Sequence, residues 1–231
     1  MFVENVHSAV VDQNDVIEAI QNQGVGIRAV SNGMCFTLTL HLLWRYLEEL
    51  KMIKKPDVYT LYQRMLVHCQ KRGEGAYCQS LVNEFKHYIF LRKKIGADKK
   101  EKIMKKAIKC LAGKRLRTAQ IERKNPADAA RKIADWLEKR DCVVLVCMEA
   151  EEAEHTIALI SSSEKDCRYL QHLDLCSQTR ELKMQGEKEA GCIQLESYLI
   201  PVLSKWELPL KTMNIACVTY ARIKYKKSLS F

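Results

Sequence analysis

Apolar residues recur at helical spacing in the first half of the chain and in strand-like runs in the second. Phe36, Leu40, Leu43, Leu47 and Leu50 step by four and three, which predicts a helix over 36–50 with Ser31 or Asn32 placed to cap it. Helices are also predicted over 57–72 and 76–94, split at Gly73-Glu74-Gly75. A fourth, over 98–111, turns Ile103, Ala107, Ile108 and Leu111 inward and ends before Gly113. Asn125-Pro126 then reads as a cap with proline at the first helical position, opening a helix over 127–139. Cys142 to Met148 is a continuous apolar run, the signature of a buried strand. Strands of mixed polarity follow over 155–160 and 167–175, then a short helix over 196–206 interrupted by Pro201, and a last strand over 214–223. Residues 10–30 are polar and Gln/Asn-rich, with Gly24 and Gly26 as turn signals. This order predicts an α+β fold, a helical lobe followed by a mostly antiparallel sheet. We divide a single domain of 1–231 into an N-terminal segment (1–30), a helical lobe (31–115) and a sheet lobe (116–231).

Composition fits a globular chain of 231 residues, 47% hydrophobic and 29% charged, with only 9 Gly and 4 Pro. No apolar run reaches the roughly 18 residues of a membrane span, and the N-terminus lacks the layout of a secretory signal. The ten cysteines are scattered without a Cys-x-x-Cys pair, which points to a reducing compartment. Glycine-rich phosphate loops and Gly-x-Ser-x-Gly are absent, so nucleotide and serine-hydrolase chemistry has no support. The net charge of +10 is concentrated: residues 91–124 hold fourteen Lys/Arg against three acids. Arg92, Lys93, Lys94, Lys99, Lys100, Lys105, Lys106 and Lys109 form the densest part. Such a surface suits an anionic membrane or an acidic partner, or is simply solvated. Nucleic acid is the weaker option, because the stretch has no aromatic residue for base stacking.

One cysteine stands apart. Cys35 follows Asn32-Gly33-Met34 at the start of the 36–50 helix, where unpaired N–H groups and the helix dipole favour a thiolate. Gly33 leaves room beside the sulfur, and the Cys35 backbone N–H is a candidate oxyanion donor. A nucleophilic cysteine needs a base, and the base needs an orienting group. His155 opens the strand after the buried one, whereas His7, His41 and His87 lie in the tail or in helices. A hairpin turning at Glu164-Lys165 sets His155 directly opposite Asp174, on the same face. A carboxylate there can hold the imidazole by its far nitrogen.

Gly33-Met34-Cys35 opening a helix that carries Trp44, a long helical insertion, the strand His155-Thr156-Ile157-Ala158-Leu159, and a strand ending in Asp174 together resemble the YopT/AvrPphB-type papain-like cysteine peptidases. The resemblance covers motif order from Asn32 to Leu175. It implies a papain-like fold with the nucleophile helix packed on the sheet. It also implies Cys35 as nucleophile, His155 as base and acid, Asp174 as orienter, and a thioester intermediate. Bacterial effectors of this type are delivered into host cells, which implies a host protein as substrate and the host cytoplasm as the place of action. The family's oxyanion-hole Gln or Asn falls about six residues before the nucleophile, where this chain has Ala29; Asn32, Gln21 and Gln23 are the alternatives. The family's Asp usually sits in an Asp-Pro-Asn-like turn, whereas Asp174 precedes Leu175-Cys176.

Other readings remain open. His172 replaces His155 as base if the hairpin register differs. Cys167, His172 and Cys176 offer three metal donors but no fourth, so no metal site and no cofactor is expected. Glutamine deamidation and acyl transfer share the first half-reaction with proteolysis, and a non-enzymatic binding module displaying the 91–124 surface is the alternative of a different class.

Overall fold

A computed structural model describes residues 3–25, 34–50, 55–95, 116–122, 126–139, 141–150, 154–164, 167–185, 188–204 and 210–219. Its centre is a seven-stranded sheet. The strands are β1 (Val3–Val10), β2 (Leu116–Glu122), β3 (Cys142–Ala150), β4 (Glu154–Glu164), β5 (Cys167–Asp174), β6 (Gln178–Gln185) and β7 (Leu210–Thr219). They lie in the order β1-β6-β5-β4-β3-β7-β2, and every pairing is antiparallel. The helices are α1 (Gln13–Asn22), α2 (Met34–Glu49), α3 (Val58–Gln70), α4 (Gly75–Ile95), α5 (Pro126–Lys139) and α6 (Lys188–Ser204). The fold is α+β, as the sequence predicts.

Strand alternation builds two cores. Val143, Leu145 and Cys147 of β3, with Ala158 and Ile160 of β4, face the layer of α1 to α4. Their neighbours Val144, Val146, Met148, Ile157 and Leu159 face α5 and α6. The apolar run from Cys142 to Met148 is continuous because both faces of β3 are covered. The stripe of α5 (Ala130, Ile133, Ala134, Leu137) is fully buried, each large side chain contributing about 1.5–3 kcal/mol.

The structure extends the sequence reading in four places. Residues 10–30 carry α1, capped by the Asp12 carboxylate, which accepts from the Asn14 N–H at 2.8 Å. Its buried stripe is only Val16, Ala19 and Ile20, so polar residues dominate the local composition. Strands β1 and β2 are the two edges of the sheet, each with one neighbour, and β1 leaves Val6 and Val10 exposed. The basic stretch thus contributes a strand, while the expected helix over 98–111 lies outside the described residues. Pro201 does not interrupt α6; it lies in the last turn, where only three residues follow it and the one N–H it lacks leaves a single carbonyl four residues back without its helical donor. β6 completes a second hairpin with β5.

The helical layer is tied to the sheet by Gln171. This side chain is 1% exposed, accepts from the Val58 N–H at 2.9 Å and donates to the Pro56 carbonyl at 2.8 Å. The two groups flank the Asp57 N-cap of α3, at the buried residues Pro56 and Val58. Gln171→Leu keeps the volume and strands both groups, each costing about 1–3 kcal/mol. Urea denaturation of the variant should show a loss of about 2–6 kcal/mol. A change below about 0.5 kcal/mol would contradict this account.

Candidate active site

Asp174 is the last residue of β5 and opens the turn Asp174-Leu175-Cys176-Ser177 into β6. Its carboxylate accepts the Cys176 N–H at 2.9 Å and the Ser177 hydroxyl at 2.9 Å. The Ser177 N–H closes the turn on the Asp174 carbonyl at 3.2 Å. His155, the second residue of β4, sets Nε2 at 3.0 Å from Asp174 Oδ1. The two side chains are 4% and 17% exposed, so their attraction is poorly screened.

The register differs from the expected one. Glu164 pairs with Cys167, and Ile157 rather than His155 lies opposite Asp174. The displacement is two residues. Side chains alternate with a period of two, so His155 and Asp174 still share a face and meet diagonally. The sequence pairing is correct in its partners and wrong in its register.

Cys35 occupies the first turn of α2, which packs on β4, and its side chain is a hydrogen-bonding partner of the His155 ring. The structure therefore brings Cys35, His155 and Asp174 together from three elements. Cys35 is 2% exposed and His155 3%, so the sulfur is covered. Burial alone would hold the imidazole neutral. It is outweighed by hydrogen bonds to Asp174, Cys176 and Cys35 and by the Asp174 charge, and the His155 pKa is pushed well above the ordinary imidazole value. Burial works against the Asp174 charge too. The bond from His155, its charge, and the bonds from the Cys176 N–H and the Ser177 hydroxyl overcome it and hold the carboxyl below its usual range.

His172 is a different kind of residue. Its Nδ1 is 2.7 Å from the Tyr198 hydroxyl, and complete burial depresses its pKa to about 4. It is a neutral packing residue beneath the site and does not replace His155. Gln23 is engaged elsewhere, its amide donating to the carbonyls of Cys69 and Lys71 at 3.1 Å each. Gln21 is exposed on α1, and Asn32, Gly33 and Ala29 lie outside the described residues. Arg92, Lys93 and Lys94 fall at the end of α4, while Lys99, Lys100, Lys105, Lys106 and Lys109 also lie outside them.

Two residues join the cluster that the sequence reading did not place there: it named Cys176 only among three metal donors, and Gln13 not at all. Cys176 is exposed, yet its side chain hydrogen-bonds the His155 ring. Gln13, the first residue of α1, donates from Nε2 to Cys176 Sγ at 3.4 Å, and its N–H bonds the Leu175 carbonyl at 2.7 Å. The Asp-x-Cys-Ser turn after a strand is a local signal for the first; nothing local marks Gln13, which is 163 residues away from Cys176. Among the described residues no helix is long and apolar enough to cross a membrane.

No family model matches the chain, and no curated protein does. Among solved structures it is similar to the Pseudomonas avirulence protein AvrPphB, at 17% identity and a TM-score of 0.47, over 87% of this chain and 100% of that one.

The charged pair fixes a pH dependence. A raised His155 pKa adds stability that is complete below the unfolded value near 6.5 and is lost as pH rises toward the folded value. A lowered Asp174 pKa adds stability that is complete above about 3.9 and is lost as pH falls. The stability difference between wild type and Asp174→Asn should therefore peak between about pH 4 and 6.5 and shrink on both sides. Thermal melts across pH measure it, and a difference that grows steadily toward alkaline pH would contradict the assignment.

Proposed function

We propose that the chain is a papain-like cysteine peptidase that hydrolyses an amide bond of a protein. The observation that carries this reading is one imidazole bonded on one side to a carboxylate at 3.0 Å and hydrogen-bonded to a cysteine at a helix start. Cys35 is the nucleophile, His155 the proton carrier and Asp174 the group that orients it. At neutral pH the resting ring carries its proton beside the sulfur. The thiolate attacks the substrate carbonyl, and the Cys35 backbone N–H is one donor to the oxyanion. Collapse of the tetrahedral intermediate expels the amine, which takes the proton from His155. The ring, now neutral, removes a proton from water; the hydroxide attacks the thioester, and the acid leaves with the thiolate regenerated. Substrate must reach a covered sulfur, so turnover includes a step that uncovers Cys35. Resemblance to bacterial effectors makes a host protein the proposed substrate.

Expression of wild type and Cys35→Ala in a eukaryotic cell, with a proteome-wide scan for new N-termini, tests the reading. New termini should depend on Cys35 and vanish in His155→Ala. Asp174→Ala, which removes the orienting group altogether, should lower kcat by up to the roughly 10²–10⁴-fold that a positioned acid–base group is worth. A one-dalton gain at a glutamine without new termini would replace peptidase with deamidase. Absence of both would leave a binding module.

A further inference from the structure

The turn after β5 gathers more donors than a catalytic triad requires. His155 Nε2 or Nδ1, an Asp174 carboxylate oxygen and Cys176 Sγ lie within 4.8 Å of one another. Each is held by the fold. His155 stands on β4, Asp174 ends β5, and the Cys176 N–H is fixed on Asp174 Oδ1 at 2.9 Å. His155 is buried, Asp174 half-buried and Cys176 exposed, so the set runs from the interior to the surface and an ion can arrive from the Cys176 side. Imidazole, carboxylate and thiolate together suit Zn²⁺, whereas Mg²⁺ and Ca²⁺ take oxygen ligands. Three protein donors also match zinc sites that leave a fourth position to solvent.

We propose that His155, Asp174 and Cys176 form a binding site for one zinc ion. The ion takes the place of the proton between the imidazole and the carboxylate, bonding Nε2, an Asp174 oxygen and Cys176 Sγ. The proton displaced from Nε2 and the proton of the Cys176 thiol pass to solvent as the two metal bonds form. The ring then keeps its remaining proton on Nδ1 and has no lone pair to accept another. Binding itself does not depend on the catalytic reading. Its consequence does: with Nε2 on zinc, His155 serves neither as base nor as charged partner of Cys35. The site is thus a zinc-operated off-switch resting on the peptidase assignment.

The test is a titration of the reduced chain with Zn²⁺ against a chromogenic chelator, repeated with Co²⁺ to read the thiolate-to-metal absorption band. Wild type should bind one equivalent. Cys176→Ser and Asp174→Asn should each weaken binding by at least the roughly 10–100-fold that even outer-shell partners cost. Cys176→Ser should also abolish the cobalt band. Cys167→Ser, outside the cluster, should bind as wild type does. Cys35→Ala should retain the zinc equivalent, which keeps this readout separate from any peptidase result. A band that survives Cys176→Ser, loss of zinc in Cys35→Ala, or no saturable equivalent in wild type would overturn the proposal.

Discussion

A carboxylate at the end of a strand is useful to a neighbouring imidazole only if it stays charged and stays in place. Asp174 meets both demands through the turn it opens. One oxygen takes the Cys176 N–H and the other the Ser177 hydroxyl, while Oδ1 also meets His155. Two of these three bonds come from residues within three positions in sequence, so their loop-closure entropy is small. The carboxylate is oriented locally first and presented to His155 second. Without that arrangement, burial would neutralise both groups, since an unpaired charge in this setting costs far more than its proton.

Much of this was readable in the chain. The helical period from Phe36 to Leu50, the apolar run from Cys142 to Met148 and the Asn125-Pro126 signal mark elements whose local pattern agrees with their final burial. Cys35 at a helix start and the pairing of His155 with Asp174 were legible for the same reason: each rests on one element boundary. The register was not. Nothing in Glu164-Lys165 fixes the register of the hairpin, and the observed one moves every pair by two. The pairing survived because an even displacement keeps the face. The edge strands escaped detection because a strand with a single neighbour carries a weak apolar signal in the sequence. The contact between Gln13 and Cys176 escaped because no periodicity encodes a meeting of chain segments so far apart.

His155 and His172 illustrate how little the residue type decides. Both are histidines on the central strands, and both are at most 3% exposed. One has a carboxylate and sulfur groups around it and is held charged; the other has a tyrosine hydroxyl and is held neutral. The same desolvation acts on each, and the sign of the outcome is set by what the ring is given to bond.

β5 has two audiences. Gln171 turns toward the start of α3, and three residues later Asp174 turns the other way, toward the imidazole. Rotating or sliding the strand to suit one of them disturbs the other, so the segment at 56–58 and the acid of the site must drift in concert over evolutionary time. Anyone transplanting the histidine–aspartate pair into a new scaffold would have to carry that distant helix start along as part of the graft.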